Sequence, residues 1–216
     1  MSIQLFSAEV SEQVAAKLLE IEAIRLSTAS PFTWSSGWLS PIYCDNRLSL
    51  SYPAVRRYVT QQLTAAIEAH FTGAEVIAGV ATAGIPQGAL VAEALGLPFV
   101  YVRSKPKGHG MENLIEGKVM PGARVVVIED LVSTGGSSLK AATALQHASF
   151  EVMGMAAIFT YGFDTAQQNF QEANIPLVVL SHYEALIQLA VANGHVTAQQ
   201  AQSLQAWRSS PATWGR

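Results

Sequence analysis

The length, composition and charge of the chain, 216 residues of which half are apolar and 13% charged, fit one α/β domain with a small additional unit. The formal net charge of −3 argues against a general nucleic-acid-binding surface, and Cys44, the only cysteine, excludes an internal disulfide and favours a reducing compartment. Neither a signal peptide nor an apolar run of membrane-spanning length is visible. We therefore expect a cytoplasmic protein with no membrane or nucleic-acid partner.

The chain is expected to open with a structural helix from Ser7 to about Leu26. Its apolar residues recur at helical spacing and share one face: Val10, Val14, Leu18 and Ile21. The run 32–47 follows, and its aromatic and β-branched residues predict two short strands around Ser36-Gly37. In this run Tyr43 or Trp34 could pack against a flat base and Arg47 could meet an anion, although a small packed hairpin explains the composition equally well.

Helix and strand patterns alternate over the next fifty residues. Pro53 begins a helix that ends near His70, and a strand is expected at 76–80. The small residues 81–86 then predict a βα turn able to hold an anion through backbone groups and Thr82. A helix at 87–95 and a strand at 98–102 complete this part.

A basic segment comes next. Arg103, Lys105 and Lys107 place three positive charges within five residues of an acidic protein, and the segment as far as Glu116-Gly117 has few apolar residues. This pattern predicts a mobile, positively charged lid, while a solvated basic loop is an equally common explanation of the pattern alone.

The most informative stretch is 125–138. Four β-branched residues predict a buried strand, which we expect to end at Glu129 and Asp130, and a helix is expected from Leu139. The loop between them has glycines at 135–136, which let the backbone approach a ligand, and four hydroxyl side chains: Ser133, Thr134, Ser137 and Ser138.

This stretch predicts a phosphate site beside a diol site. The two carboxylates would repel a phosphate but can accept hydrogen bonds from sugar hydroxyls, so a ribose 5-phosphate has the right polarity. The stretch lacks the Gly-Lys-Ser/Thr ending of a Walker loop and is not a dinucleotide-binding G-x-G-x-x-G. An ordinary βα turn with Ser/Thr caps is the structural alternative.

The remaining pattern supports an α/β fold with a doubly wound, mostly parallel sheet. Strands are expected at 152–160 and 175–180, and a helix at 197–207, where Trp207 and Trp214 are read as packing residues. Both proposed ligand loops then lie at the carboxyl ends of strands, where ligands of such sheets bind.

The sequence resembles a known family at three places. Residues 126–137, Val-Val-Ile-Glu-Asp-Leu-Val-Ser-Thr-Gly-Gly-Ser, resemble the phosphoribosyl pyrophosphate (PRPP) motif of type I phosphoribosyltransferases. The pattern F-T-x-x-S-G-x-x-S-P-x-Y, from Phe32 to Tyr43, is similar to the N-terminal hood of orotate phosphoribosyltransferases, and the basic segment resembles their catalytic loop at Arg103, Lys107, His109 and Gly110.

The resemblance implies a type I phosphoribosyltransferase fold, with a helix and hood over the base at 1–50 and a PRPP-binding core at 51–216. It implies orotate binding by Tyr43 and Ser133 and catalysis by Lys107 and His109. It also implies Mg²⁺ carried by PRPP and a homodimer in which the loop at about 103–118 completes the neighbouring active site. The implied PRPP-binding residues are Arg103, Lys107, His109, Glu129, Asp130, Leu131, Val132, Ser133, Thr134, Gly135, Gly136 and Ser137.

The chain departs from the family at positions where many members carry a basic residue, namely Ser35, Leu39, Ala83 and Tyr161. Two alternatives to orotate phosphoribosyl transfer therefore stay open. One is a phosphoribosyltransferase for another base, and the other is a PRPP-sensing regulator, although the basic lid and the negative net charge argue against a regulator that acts on nucleic acid.

Overall fold

The computed structural model describes residues 3–34, 37–105 and 114–215. Its helices are α1 (Ala8–Glu20), α2 (Pro53–His70), α3 (Gly84–Leu95), α4 (Gly136–His147), α5 (Asp164–Glu172), α6 (Tyr183–Ala192) and α7 (Ala198–Ser209), with a 3-10 helix at Asn46–Ser51. Its strands are β1 (Ile3–Leu5), β2 (Ile24–Leu26), β3 (Phe32–Thr33), β4 (Leu39–Ser40), β5 (Ile42–Cys44), β6 (Val76–Val80), β7 (Phe99–Val102), β8 (Ile115–Glu116), β9 (Arg124–Val132), β10 (Glu151–Thr160) and β11 (Leu177–His182).

Seven strands form the central sheet, in the order β1-β11-β10-β9-β6-β7-β8. Every neighbouring pair is parallel except β7 and β8, which are antiparallel. The carboxyl ends of β6, β9 and β10 therefore lie side by side at one edge of the sheet, which is where both proposed ligand loops begin.

Helices cover both faces of the sheet, as predicted for a doubly wound fold. Alternate residues of β9 point to opposite faces: Val126 and Ile128 belong to the core cluster under α1, α2, α3, α6 and α7, and Val125 and Val127 to the cluster under α4 and α5. Because both faces are covered, β9 carries a continuous apolar run, the pattern of a buried parallel strand. No helix in the described ranges is both long and apolar enough to cross a membrane.

The hood is made of two small antiparallel ribbons, β2 with β5 and β3 with β4. The second ribbon confirms the predicted pair of short strands. The predicted N-terminal unit at 1–50 also contained β1 and α1, but β1 pairs with β11 in the main sheet and α1 packs on β11 and α6. Residues 3–20 thus belong to the core of the fold, and the hood begins at β2.

Several predicted boundaries change for identifiable reasons. The first helix starts after its Ser7 cap but ends at Glu20 instead of Leu26, because Glu22 adopts a positive φ of 55° and Ile24 then pairs with Cys44. The helix expected at 87–95 starts at Gly84. The segment predicted to continue the lid contains β8, whose Ile115 is buried against the sheet edge.

Other predictions are confirmed by the structure. The second helix spans Pro53–His70 with proline in its first turn, and β6 spans Val76–Val80. The C-terminal helix begins behind Thr197, whose hydroxyl and the side chain of Gln200 form a reciprocal capping box. Trp207 is completely buried, as a packing residue should be.

Candidate active site

The two carboxylates lie inside β9, whereas the sequence predicted that the strand ends at them. The strand continues to Val132 because β10 runs beside it, with Ala157 opposite Glu129 and Thr160 opposite Val132. Both acids are therefore held by a central strand of the sheet and not by a loop. This placement fixes their backbone before any ligand arrives.

Glu129 is buried, with 5% of its surface exposed, and its carboxylate is already engaged. The Ser138 hydroxyl donates to Oε2 at 2.9 Å, and the Asp130 backbone N–H donates to Oε1 at 3.1 Å. Burial, and then the charge of Asp130, raise the pKa of Glu129 well above its usual value. The hydroxyl of Ser138, which the sequence grouped with the phosphate ligands, thus holds Glu129 instead.

Asp130 is the more open of the two acids. Burial raises its pKa, against the opposing effects of hydrogen bonds from Glu129 and the backbone and of the positive charge of Arg47. Its backbone carbonyl accepts a 2.7 Å hydrogen bond from Nδ2 of Asn46, a buried residue of the hood. Asp130 is thus tied to the element expected to cover the base, and its carboxylate is the better placed of the pair to accept hydrogen bonds from a sugar.

The loop after β9 is shaped by Gly135, which has φ = 82° and precedes the first residue of α4. A Cβ on Gly135 would lie 2.7 Å from the ring of Phe170, so glycine is required here by conformation and by space. On the loop's other side, Asn169 donates to the Thr134 carbonyl at 2.8 Å. The loop therefore presents the N-terminal N–H groups of α4 in a fixed direction, the arrangement that binds a phosphate.

The predicted phosphate-binding residues differ in accessibility. Ser133 and Thr134 are half-buried, while Gly136 and Ser137 are exposed at the start of α4. Val132 has a completely buried side chain, and its carbonyl accepts from Thr160 at 2.9 Å. Val132 can therefore serve a ligand only through the backbone, whereas Leu131 is half-buried.

The second small-residue turn is packed directly against the first. A methyl group on Gly84 would overlap the carbonyl of Ile128, and one on Gly79 would lie 2.6 Å from the carbonyl of Gly84. The start of α3 therefore lies directly against β9 at Ile128, one residue before Glu129. Thr82 lies exposed in this turn, so both predicted anion loops open to the same edge of the sheet.

The basic segment is described only at its ends. Arg103 is tied to the far end of the segment by a 2.7 Å backbone bond to Leu114 and a 3.4 Å ion pair with Glu116. A cavity of about 1280 Å³ brings Arg103 and Ser104 together with Gly136 and Ser137 of the phosphate loop. The first residues of the predicted lid thus line the same cavity as the start of α4. Lys107 and His109, which the resemblance assigned to pyrophosphate binding, lie outside the described residues, and so does Gly110, which matched the family's loop.

The hood places Tyr43 and Cys44 on opposite sides of β5. Arg25 stacks over the Tyr43 ring at 5.0 Å, and Phe32 packs against the same ring at 5.6 Å. Cys44, on the other side, donates to Oδ1 of Asn46 at 3.3 Å. Burial, and then the charges of Asp130 and Asp45, raise the pKa of the Cys44 thiol well above its usual value, so this thiol is a packing group and not a nucleophile.

The C-terminal helix joins the hood to the end of β10. Trp207 packs edge-on against Trp34 at 5.5 Å and donates its indole N–H to the Leu39 carbonyl at 3.2 Å. Arg208 donates to the carbonyls of Tyr161 and Gly162 at 3.2 and 3.0 Å. The sequence has no arginine after β10, and an arginine of the last helix binds the backbone carbonyls there.

Sequence reasoning missed the residues that hold this site together. Asn46, Asn169 and Thr160 each bond a backbone carbonyl of the Asp130–Thr134 stretch from a different element. Only Asn46 carried a local signal, as an amide between two charged residues of the hood run. The contacts of the other two depend on the pairing of β9 with β10 and on the packing of α5, which no local pattern reveals.

Comparison with known proteins agrees with this geometry. A family model described as "Phosphoribosyl transferase domain" matches residues 51–192. The chain is 56% identical to the orotate phosphoribosyltransferase of Cytophaga hutchinsonii over 94% of its length and 98% of that protein. It is 51% identical to the orotate phosphoribosyltransferase of Listeria innocua, over 96% and 99% of the two chains.

Solved structures give the same result. An orotate phosphoribosyltransferase structure from Aeropyrum pernix superposes with a TM-score of 0.74 at 27% identity, covering 85% of this chain and 99% of that one. A Leishmania donovani UMP synthase structure superposes with a TM-score of 0.77 at 29% identity, covering 92% of this chain and 42% of the longer protein.

Proposed function

We propose how this chain, which belongs to the orotate phosphoribosyltransferase family, transfers the 5-phosphoribosyl group of PRPP to orotate. The reaction gives orotidine 5′-phosphate and pyrophosphate and belongs to pyrimidine nucleotide biosynthesis. The observation that carries the proposed residue roles is the junction at Asp130. There the carboxylate pair of β9, the phosphate loop and the hood meet within one hydrogen-bonded unit.

Asp130 and Glu129 bind the ribose hydroxyls in this proposal. Asp130 accepts from them directly, and Glu129, held by Ser138, fixes Asp130 through the Asp130 N–H. The 5-phosphate lies at the other end of the loop, on the N–H groups at the start of α4 and on the hydroxyls of Ser133, Thr134 and Ser137. The ribose is then fixed at both ends, which leaves its C1 exposed towards the hood.

Orotate lies under the hood, against Tyr43 and next to Ser133. Orotate is already an anion near neutral pH through its carboxylate, and the ring N–H proton that is lost as the bond to C1 forms can pass to the departing pyrophosphate, so the site needs no strong general base. What the reaction does need is stabilisation of the departing pyrophosphate and exclusion of water, which would otherwise hydrolyse PRPP. Arg103, Lys107 and His109 supply the positive charge, and the segment that carries them closes the site.

We further propose that the protein is a homodimer in which the basic segment of one subunit completes the site of its neighbour. The support for this is the resemblance of the segment to the family's catalytic loop. A cytoplasmic location remains part of the proposal and rests on the single thiol.

Magnesium is proposed to enter with PRPP. Mg²⁺ prefers oxygen ligands, and substrate phosphates supply them. In this proposal the PRPP phosphates carry the ion, no residue of the chain binds it directly, and Glu129 and Asp130 keep their oxygens for the ribose hydroxyls. When bound, the ion neutralises charge on the pyrophosphate; the protein residues orient the two substrates.

The first experiment mixes the purified protein with orotate, PRPP and Mg²⁺ and follows the ultraviolet absorbance of orotate. We expect a decrease that requires all three components and reverses when pyrophosphate is added. If PRPP binds in a calorimeter but orotate is not consumed, the β9 site stands and the assignment of the base is wrong. Replacing orotate by other bases at fixed PRPP then tests the alternative transferase.

Subunit mixing tests the shared site. Lys107→Ala removes a proposed lid charge and Asp130→Asn disables the ribose site, and each variant alone should have little activity. If the lid acts on the neighbouring subunit, refolding the two variants together should restore up to about one quarter of wild-type turnover, since half of the random dimers pair two different chains and each such dimer has one intact site. A mixture that stays inactive contradicts the shared site.

A further inference from the structure

The carboxylate of orotate needs a cationic partner that the sequence does not identify. Burying an unpaired anion is costly, so a site that selects orotate must supply hydrogen-bond donors or positive charge at that group. The positions expected to be basic are Leu39, Ala83 and Tyr161 in the described structure, and Ser35 outside it. The structure brings three arginines to the hood or its supports: Arg25, Arg47 and Arg208.

The Arg208 side chain is already bound to backbone carbonyls. Its Nε and Nη2 bind the carbonyls of Tyr161 and Gly162, which fastens α7 to the end of β10. The side chain lines a cavity of about 250 Å³ together with Ile3 and Leu5 of β1, two strands beyond β10 and away from β9. Arg208 therefore points away from the carboxylate pair.

Arg25 is also committed. Its guanidinium lies over the rings of Tyr43 and Phe32, at 5.0 and 5.6 Å from their centres. Such stacking places the flat face of the guanidinium on the aromatic rings and stabilises the hood. The Arg25 guanidinium thus supports the rings of Tyr43 and Phe32.

Unlike Arg208 and Arg25, Arg47 is held in one orientation by an ion pair and is also exposed to solvent. Asp45 binds it in a fork, with Nε–Oδ1 at 2.6 Å and Nη2–Oδ2 at 2.8 Å, yet 59% of the Arg47 side chain is exposed. The fork uses two of the five N–H donors of the guanidinium, which leaves three in one plane for a second carboxylate.

Arg47 lies close to the place proposed for the base. It directly follows Asn46, whose side chain bonds the backbone of Asp130 at 2.7 Å, so it lies at the junction between hood and ribose site. The hydrogen bond and charge of Asp45, and then the charges of Tyr43 and Asp130, raise the pKa of Arg47. Its guanidinium is therefore within electrostatic reach of both the predicted base-binding ring and the predicted ribose-binding carboxylate.

We propose that Arg47, held in a fork by Asp45, is the residue that recognises the carboxylate of orotate. The inference rests on the proposed function, because it assigns a partner to one group of that substrate. It gives Arg47 a role in selecting the base. A pyrimidine without the carboxylate leaves the remaining N–H donors of the guanidinium without an acceptor.

The test compares orotate with orotamide, which has the same ring and a neutral amide in place of the carboxylate. Arg47→Gln removes the charge and is expected to raise the KM and Kd of orotate by about 10- to 100-fold, the usual loss for a charge-assisted hydrogen bond. The KM of PRPP and the Kd of orotamide should change by less than about threefold. Arg47→Lys keeps the charge without the planar fork and should recover part of the loss.

Arg57→Gln, an exposed arginine on α2, is the matched control and should leave both constants unchanged. Equal losses for orotate and orotamide in Arg47→Gln, or an equal rise in the KM of PRPP, would overturn the proposal. A loss confined to orotate in Arg25→Gln would transfer the role to Arg25 and also overturn it. A wild-type protein that neither binds nor converts orotate would refute the proposed function itself, an outcome distinct from an active wild type with an unaffected Arg47→Gln.

Discussion

The PRPP-binding half and the base-binding half of the site are attached to the sheet in different ways. Glu129 and Asp130 are residues of a central strand with neighbours on both sides, and the phosphate loop runs directly from that strand into α4. The hood consists of two-stranded ribbons outside the sheet, and it is held by side chains from distant parts of the chain. The PRPP-binding half is held in place by the central sheet, and the base-binding half is held by a few specific side-chain contacts.

Two amide contacts make the contrast concrete. Asn169 of α5, which is half-buried, bonds the carbonyl of Thr134 at 2.8 Å and supports the phosphate loop. Asn46 of the hood bonds the carbonyl of Asp130 at 2.7 Å and supports the ribose site from the base side. The same type of amide-to-carbonyl hydrogen bond thus supports the binding of PRPP alone at Asn169, and it links the PRPP and orotate sites at Asn46. The difference between the halves is therefore measurable through separate Michaelis constants.

The largest effect is expected from Asp130→Asn, which would break the PRPP half at its centre. Replacing this carboxylate by a carboxamide removes an acceptor for the ribose hydroxyls, and we expect kcat/KM to fall by about 100-fold or more. Thermal unfolding should stay near wild type. Glu75→Gln, which changes a carboxylate paired with Arg124 far from the site, is the control and should keep full activity. An active Asp130→Asn protein would contradict the assigned role.

Gly135→Ala should weaken the same half through its backbone. The residue needs φ = 82°, and a methyl group would lie 2.7 Å from the Phe170 ring, so we expect a stability loss of about 1–3 kcal/mol. The displaced loop should raise the KM of PRPP by about tenfold and leave that of orotate nearly constant. Urea unfolding and steady-state kinetics measure the two effects. Gly122→Ala controls for a positive φ at an open position, since nothing lies within 4 Å of a Cβ there.

The two amides sharpen the comparison with a smaller effect. Asn46→Ala leaves the Asp130 carbonyl without its donor and releases the hood, so the KM values of both substrates should rise by about five- to tenfold. Asn169→Ala leaves the Thr134 carbonyl without its donor and should raise the KM of PRPP alone. If Asn46→Ala changed only one of the two constants, the hood would not be coupled to the ribose site through this bond.

The smallest effect concerns stability and not turnover. Burial and the charge of Asp130 raise the pKa of Glu129 in the folded protein, so the folded state holds this proton more firmly than the unfolded state does. Ionisation of Glu129 therefore costs stability as the pH rises from the unfolded value, near about 4.3, through the folded value. Below the unfolded value the proton is bound in both states and this cost is absent.

Glu129→Gln should remove that cost. An amide can accept from the Asp130 N–H and donate to Ser138, whose hydroxyl oxygen also accepts. We expect the Tm of the variant to exceed that of wild type by about 2–4 °C at pH 8, the shift produced by about 1 kcal/mol in a chain of this size, and by less at pH 5. Thermal scans at both pH values check this. A variant less stable than wild type at pH 8 would show that the carboxylate is needed for folding.

The sequence alone determined the parts of this protein whose signal is local. The apolar run of β9 followed by glycines and hydroxyls, Pro53 at a helix start and the helical pattern from Thr197 are signals within a few residues, and the structure confirms them. The same kind of signal placed both ligand loops at the carboxyl edge of a parallel sheet, since strand direction follows from alternating strands and helices.

Only the tertiary structure decided where each local element stops and what supports it. Pairing with β10 carried β9 beyond Glu129 and Asp130, and that burial raised the pKa of both acids. Pairing with β11 drew β1 into the core. The contacts at Asn46, Asn169 and Arg208 join residues 35 to 84 positions apart, because strand pairing and side-chain packing depend on folded distance and not on sequence separation.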